Sequence, residues 1–430
     1  MARIRDALVD LNPWWKGEFS LEYRDREAYR EVEKFIALPQ IIAFTGLRRV
    51  GKTTLMLKIV QDAIKDGLDP RAILYFSFDE FRESQIRDVL REYETLMSTD
   101  LSSGRHLLLL DEIQKLAGWE DQLKALYDRL RKTLKVIISG SESLFIRKGS
   151  RETLAGRLFE FTILPLSFRE YLNFREVKFE PLELHEKELS RHFDEFLLTE
   201  GFPELVGFKD KTVLRKYLRE SIVEKVIFRD LPTLLGVRDV SSLESVLNVL
   251  MDEPGQLVEL SELAGELKLS RQTLSNYLTY LEQCFLVRKL YNYSKGRRKV
   301  ERKLKKYYPT IVSVDLLFRN DESSKSRIFE WALINQLRAE FFWRDPYKNE
   351  VDAVLTNGKT VPLEIKYGRT NLHGLRAFMK RFDINNAFAV SRDREETIES
   401  NGRTISVIPA FKFMLKSAGV KDILQTHWLR

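Results

Sequence analysis

Eight consecutive residues, Gly46-Leu47-Arg48-Arg49-Val50-Gly51-Lys52-Thr53, place two glycines, a lysine and a hydroxyl at G-x-x-x-x-G-K-[ST] spacing. Chemistry at phosphate asks for these residue types in this order. The glycines let backbone N–H groups turn inward around the oxygens, and a helix beginning at Lys52-Thr53-Thr54 adds a favourable dipole. Lys52 is expected to reach the β- and γ-phosphates, and the Thr53 hydroxyl to hold Mg²⁺. An apolar run, Ile41–Phe44, precedes the loop, and a helical stretch, Thr54–Ile64, follows it. The pattern therefore predicts a site for ATP with Mg²⁺.

About sixty residues on, the apolar run Leu107–Leu110 delivers Asp111-Glu112. A buried strand carrying an acid to the sheet edge is a Walker B element. Asp111 is the expected Mg²⁺ partner, directly or through water, and Glu112 the base that orients an attacking water. Hydrolysis is therefore expected to run through Lys52, Asp111 and Glu112. A third run, Val136–Ile138, ends in Ser139-Gly140-Ser141. The run leaves two hydroxyls at the end of a buried strand, and a plain strand-end turn is one reading of them.

Two further constellations lie downstream. Leu260–Leu267 has helical apolar spacing, and Ser270 suits an N-cap before the stretch Arg271–Leu281. This reads as a helix-turn-helix with Arg271 and Gln272 at the front of its second helix, where such helices meet base edges. Lys295-Gly296-Arg297-Arg298-Lys299 then fits the tip of a basic hairpin that neutralises phosphates. A protein-contact role for the same module is the alternative. Finally, Glu330 lies in a helical stretch, Asp352 in an apolar strand, and Leu363-Glu364-Ile365-Lys366 puts Glu364 and Lys366 on one strand face. Asp352 and Glu364 are candidate ligands for Mg²⁺ or Mn²⁺, with Lys366 placed to act on a hydrolytic water.

That last site carries an internal tension. Asn357-Gly358 is a two-residue hairpin signal, and ideal pairing from it sets Asp352 opposite Leu363. The two carboxylates then face opposite sides of the sheet. A bulge near Pro362, or a longer connection, is needed to bring them together.

The elements that must position these residues follow from length and periodicity. A chain of 430 residues exceeds a single core, so several domains are expected. Short apolar runs alternate with amphipathic stretches over 40–165, the signature of a parallel sheet wound with helices. Boundaries are placed at 1–166 for a P-loop core, 167–235 for a helical lid, 236–310 for the helix-turn-helix module and 311–430 for the acidic α/β module. No apolar run is long enough to span a bilayer, no apolar leader opens the chain, and a single cysteine, Cys284, leaves no internal disulfide. Those features predict a cytoplasmic protein with no membrane partner. The net charge is +7, yet Arg288–Lys306 alone holds ten Lys/Arg against one acid, an excess of +9, leaving −2 for the rest. One concentrated basic patch points to a polyanion partner, nucleic acid and DNA in the first instance.

Several strings resemble one prokaryotic, chiefly archaeal, family of AAA+-type ATPases: Asn12-Pro13-Trp14-Trp15, the loop Gly46–Thr54, Leu154-Ala155-Gly156-Arg157, Leu164-Pro165-Leu166-Ser167-Phe168 and Gly201-Phe202-Pro203-Glu204. The resemblance implies an AAA+ parallel sheet with a helical lid, then a winged helix, then a domain resembling PD-(D/E)XK nucleases with Glu330, Asp352, Glu364 and Lys366 as its site. It implies that Ser139 or Ser141 is a sensor, that Pro203 lies near the base, and that Arg157 is a finger reaching a neighbouring subunit's nucleotide in a homo-oligomer, possibly a ring. A surface arginine is the other reading of Arg157. Three functions remain open: an ATP-driven machine on nucleic acid, a nucleotide-controlled switch for a protein partner, and a metal-dependent nuclease regulated by ATP.

Overall fold

The structure, a computed structural model, describes residues 2–141, 152–232, 236–237, 239–296, 298, 300, 304–356, 359–368 and 371–416. The chain divides into two compact units, residues 1–164 and 165–430.

In the first unit, five strands form a wholly parallel sheet: β1 (Ile41–Thr45), β2 (Ile73–Ser77), β3 (His106–Asp111), β4 (Leu134–Ser139) and β5 (Leu158–Thr162). Their spatial order is β2-β3-β4-β1-β5. Residues of β1 and β3 are buried along their whole length, as continuous apolar runs in a sheet covered on both faces must be. Helices α1 (Ala2–Leu11), α2 (Glu27–Ile36), α3 (Lys52–Lys65), α4 (Ile86–Met97) and α5 (Trp119–Leu130) cover it. Leu90, Tyr93, Leu123 and Leu126 bring their apolar stripes onto Leu108, Leu110 and Val136. This topology decides the site. Inserting β4 between β1 and β3 brings Ser139 to the same sheet edge as the phosphate loop after β1 and Asp111 at the end of β3.

The exposed edge of β2 is not left bare. Asn12 donates to Tyr75 O (2.9 Å) and accepts from Tyr75 N (2.7 Å), while the Trp14 and Trp15 indoles donate to Ile73 O (3.1 and 2.8 Å). Side chains thus pair the edge strand that another chain would otherwise extend.

The second unit begins with α6 (Phe168–Phe174), whose start carries a capping box. Ser167 Oγ accepts from Glu170 N, and the Glu170 carboxylate accepts from Ser167 N at 2.8 Å. Helix α7 (Leu182–Thr199) follows, and residues from 203 to 232 are mostly helical. Then come α8 (Val240–Asp252), β6 (Gln256–Val258), α9 (Leu260–Glu266), α10 (Arg271–Gln283) and the strands β7 (Val287–Asn292) and β8 (Lys305–Pro309). Helix α11 (Glu322–Leu337) leads to β9 (Phe341–Arg344), β10 (Glu350–Leu355), β11 (Val361–Lys366), α12 (His373–Phe382), β12 (Asn386–Ser391), β13 (Glu396–Ser400), β14 (Arg403–Pro409) and α13 (Ala410–Lys416).

All nine described strands of this unit belong to one sheet, ordered β13-β14-β12-β11-β10-β9-β7-β8-β6. A single ladder, β7 parallel to β9 with Tyr291 opposite Phe341, joins the hairpin strands to the rest. One continuous sheet therefore crosses the position, 310/311, where the sequence places a boundary. Tyr307 and Tyr308 are buried in that sheet.

The β10–β11 register differs from the one an Asn-Gly turn dictates. Ala353 lies opposite Leu363, Val354 opposite Pro362 and Leu355 opposite Val361. That leaves a connection one residue longer than the ideal two-residue turn. Asn357 and Gly358 themselves lie outside the described residues. Pro362 pairs in regular register, so the bulge expected there does not occur. A register shift does occur on the other side of β10, between Val351 and Val354 against β9.

Candidate functional sites

The first site is built at the carboxyl edge of the parallel sheet. Gly46 (φ +135°) and Gly51 (φ +95°) adopt left-handed backbone that side chains resist. A Cβ at Gly46 would lie 2.2 Å from Ile163 O, so only glycine lets the loop pass β5's end. Leu47 and Val50 are buried and anchor the loop, whereas Arg49, Thr53 and Thr54 are exposed and Arg48 half-buried. Lys52 is buried, and its ammonium donates to Gly46 O (3.0 Å) and Leu47 O (2.8 Å). It spans the loop where phosphate oxygens would sit.

Thr53 Oγ1 donates to Asp111 Oδ2 at 2.8 Å, so the two groups expected to share Mg²⁺ already touch. Tyr75 OH donates to the same oxygen at 2.7 Å, and Ser139 Oγ donates to Asp111 Oδ1. Hard oxygen donors on a fixed carboxylate suit Mg²⁺, which keeps several waters and takes one or two protein ligands. Glu112 stands in left-handed backbone (φ +54°), a conformation costly for a non-glycine residue and concentrated at functional sites. Its N–H donates to Asp111 Oδ1 (3.1 Å) and Ser139 Oγ (3.3 Å). Its carboxylate accepts from Gln114 Nε2 (2.8 Å) and faces Ser141 Oγ at 3.4 Å. Burial pushes the Glu112 carboxyl above its ordinary range, with the Lys52 charge opposing. A raised carboxyl is a better proton acceptor. The two serines thus serve different partners: Ser139 holds Asp111, and Ser141 stands by Glu112 and Gln114.

Sequence motifs do not single out Tyr75, Gln114 or Arg26. Arg26 is buried and donates to Val50 O and Leu164 O, each at 2.8 Å, tying the phosphate loop to the chain that leaves β5. Only tertiary proximity marks these residues, although an arginine fourteen residues after Asn12 in an aromatic segment is a visible oddity.

Arg157 lies at the other end of the strands. Ile41 N donates to its carbonyl (2.8 Å), so it precedes β5 where Gly46 follows β1. A five-residue strand spans roughly 17 Å, which keeps Arg157 from its own phosphate loop. Its guanidinium forms a bidentate pair with Asp128 on α5, at 2.9 and 3.1 Å. Pro203 belongs to the second unit, in a short turn after Gly201 (φ +74°), whose Cβ would meet Leu166 O at 2.7 Å.

The second unit holds two further groups. Ser270 Oγ accepts from Thr273 N at 3.0 Å and caps α10. Arg271 and Gln272 are exposed on its first turn, with Gln272 donating to Asn276 Oδ1 at 3.0 Å. Lys295 and Arg298 are exposed in the long connection between β7 and β8, where Arg298 is helical rather than at a tight hairpin tip, while Arg297 and Lys299 lie outside the described residues. The basic run is not one uniform surface. Arg288 donates inward to Asn335 O and Ala339 O (3.2 Å each), Lys289 pairs with Glu282 (2.9 Å), and Lys306 is buried among carboxylates. Lys306, part of the basic patch Arg288–Lys306 expected to face a polyanion, instead turns its ammonium to Glu350 and Glu330.

Asp352, Glu364 and Lys366 come together. The register sets Asp352 beside Glu364, and both are about 5% exposed. Lys366 Nζ lies 2.8 Å from Glu364 Oε1 and 3.4 Å from Asp352 Oδ2. Asp352 Oδ2 also accepts from Ile365 N at 2.7 Å. Glu364 Oε2 is buried with no partner. Burial and then the Asp352 charge push the Glu364 carboxyl up to about 8, while burial and then Glu330 push Asp352 up. Glu330, on α11, accepts from Tyr308 OH at 2.6 Å. Lys306 lies 2.6 Å from Glu350 and 3.5 Å from Glu330, and Arg344 holds the other Glu350 oxygen at 2.8 Å. An orphaned carboxylate oxygen beside a second carboxylate fits a divalent cation. Among the described residues no group of three or more His, Cys, Asp or Glu could hold a metal, so the fit is for a two-carboxylate site completed by water or substrate.

With this geometry in view, comparison with known proteins is informative for the first unit. Residues 38–172 match the family model of an AAA domain, so the chain carries a P-loop AAA-type domain on an α/β fold. Residues 190–310 and 328–413 match two domains of unknown function, DUF8612 and DUF4143. An uncharacterized protein of Methanocaldococcus jannaschii is 26% identical over 73% of this chain and 70% of its own length. One from Haemophilus influenzae is 28% identical over 62% of this chain and 66% of its own, and a second Methanocaldococcus jannaschii protein is 29% identical over 66% and 64%. This chain therefore matches about two thirds of the length of each of these relatives. A crystal structure of a DNA replication initiation factor aligns with 62% of this chain and 90% of its own at 17% identity, with a TM-score of 0.27, too low to carry an argument. No helix among the described residues is long and apolar enough to cross a membrane.

Proposed function

We propose that this chain is a Mg²⁺-dependent ATPase that acts on nucleic acid, DNA in the first instance. The carrying observation is the Thr53–Asp111 contact with Glu112 beside it, facing a phosphate loop spanned by Lys52. On this reading the loop N–H groups and Lys52 bind the phosphates, and Tyr75 and Ser139 fix the Asp111 carboxylate. Glu112 takes a proton from water, and Ser141 and Gln114 hold Glu112 in place. Mg²⁺, when bound to Thr53 and Asp111, neutralises the phosphate charge. Nucleotide is the cofactor, and the chain works as a homo-oligomer in which Arg157 leaves Asp128 to reach a neighbour's phosphates. The order α8, β6, α9, α10, β7, β8 supports reading this stretch as a winged helix, and exposed Arg271, Gln272, Lys295 and Arg298 support nucleic-acid contact. ATPase rate measured with and without single-stranded, duplex and branched DNA tests this reading. Stimulation by DNA supports it, and nucleotide-gated assembly indifferent to DNA transfers the chain to a switch that binds a protein partner.

A second activity is favoured by the convergence of Asp352, Glu364 and Lys366 with Glu330 close by. We infer a PD-(D/E)XK nuclease-like site in which Asp352 and Glu364 hold one Mg²⁺ or Mn²⁺ and Lys366 positions the hydrolytic water. Mn²⁺-dependent cleavage lost in Asp352→Ala, with ATPase activity spared, is its test.

A further inference from the structure

The carboxylate cluster of the second unit is larger than the motif that announces it. Four acids, Glu330, Glu350, Asp352 and Glu364, share it with Lys306, Lys366 and Arg344. It has two halves. Lys366 bridges Asp352 and Glu364, leaving Glu364 Oε2 buried and open. Lys306 bridges Glu350 and Glu330, and this half is closed. Both Glu350 oxygens are taken, by Lys306 and Arg344, and Glu330 Oε1 accepts from Tyr308 OH at 2.6 Å. Lys306 and Tyr308 come from β8, two residues apart on one strand face, and from no part of the E…D…E-x-K pattern. An ammonium buried between two carboxylates supplies the positive charge that a metal ion would otherwise supply.

We propose that Lys306 is the resident cation of this cluster and holds the place of a second divalent ion, so that the site takes one ion at Asp352–Glu364 and not two. The inference rests on the metal reading of Asp352 and Glu364 only for the first ion. Removing the Lys306 charge leaves two half-buried acids, Glu330 and Glu350, sharing the half with Arg344, which holds only Glu350. A divalent cation relieves that repulsion, with water completing its shell.

The test is Mn²⁺ binding to the full chain, followed by the electron paramagnetic resonance signal of free Mn²⁺. Wild type is compared with Lys306→Met and Lys306→Gln. Wild type is expected to take one equivalent. Either neutral variant is expected to take a second, at an affinity roughly tenfold or more above any second-site binding in wild type. Adding Glu350→Gln to the variant should abolish the gained ion and spare the first. Folded neutral variants with wild-type stoichiometry and affinity overturn the proposal. If wild type takes no ion and the variant takes one that Glu350→Gln abolishes, the Asp352–Glu364 reading fails and the role of Lys306 stands. If neither variant folds in metal-free buffer, refolding in added Mn²⁺ supports the proposal, and failure of Mn²⁺ to rescue either one overturns it.

Discussion

Replacing Glu364 by Gln should make the second unit less sensitive to alkaline pH. In metal-free buffer the Glu364 carboxyl is buried, has one oxygen on Lys366 and the other on nothing, and stands beside Asp352. Its proton is therefore retained up to about 8, against an ordinary 4.5. The unfolded chain gives that proton up near the ordinary value. Between the two values the folded state binds more protons, so stability falls as pH rises through this window and is highest below it. The slope approaches ~1.4 kcal/mol per pH unit for one proton. From pH 5.5 to 7.5 the loss is therefore up to ~3 kcal/mol. For a unit of this size that corresponds to roughly 5–10 °C in Tm. Asp352, pushed up for the same reason, adds to the fall in the lower half of the window. A glutamine cannot ionise, so Glu364→Gln should lose most of the slope and be the more stable protein at pH 8. Thermal unfolding of both proteins with a chelator present, at half-unit steps from pH 5.5 to 8, measures this. Parallel curves for the two proteins would refute the argument, because they would mean that Glu364 ionises as it does in water.

In the first unit, Glu112→Gln keeps the side chain's shape and loses the base, so the variant should bind ATP and hydrolyse it at least a hundredfold more slowly; equal turnover removes Glu112 from the mechanism. Lys52→Ala should abolish turnover or weaken nucleotide binding. If Arg157 acts on a neighbour, Arg157→Ala and Lys52→Ala subunits, each inactive alone, should regain activity when mixed, because a mixed interface pairs an intact loop with an intact arginine; concentration-independent turnover by a strict monomer rules this out. Neutralising Arg297, Arg298 and Lys299 together should weaken DNA binding and reduce the slope of log affinity against log salt by roughly one unit for each phosphate no longer neutralised, as read by titration at several salt concentrations.

Local pattern carries the first site well and the second only in part. Loop chemistry at Gly46–Thr53, the apolar runs feeding Thr45, Asp111 and Ser139, and the cap at Ser270 all depend on residues near one another in sequence, so periodicity and spacing expose them. Tyr75, Gln114, Arg26 and Lys306 depend on which strands lie side by side, and nothing in their neighbourhoods announces it. Tyr75 reaches Asp111 because β2 and β3 are adjacent. In sequence Lys306 is one more phosphate-binding cation in a basic run, and burial against Glu350 gives it the opposite employment. The hairpin problem is visible because a strand's side chains alternate with a period of two. Its resolution by a single added residue in the connection is among the alternatives that alternation allows, and no residue type in 356–360 distinguishes it from a bulge at Pro362.

If the hairpin binds nucleic acid as proposed, the nine-stranded sheet makes that binding and the carboxylate cluster parts of one mechanical problem. Tyr291 N donates to Glu340 O (2.8 Å) and Tyr293 N to Phe342 O (2.7 Å), and the Asn292 amide donates to Arg344 O (3.0 Å) and accepts from Arg344 N (3.2 Å). These bonds fix β7 to β9, and Arg344 at the end of β9 holds Glu350. On the other strand of the same hairpin, Lys306 and Tyr308 hold Glu350 and Glu330. Lys295 and Arg298 lie in the connection between β7 and β8, so a polyanion bound there would pull on β8, which carries Lys306, and on β7, which is bonded to Arg344 through Asn292. The cluster responds wherever such a pull changes the Lys306–Glu350 distance, because the Lys306 ammonium is buried and has little water to replace the carboxylate. A sequence reading that treats the basic hairpin and the acidic site as separate domains has no reason to couple them. The shared sheet supplies one.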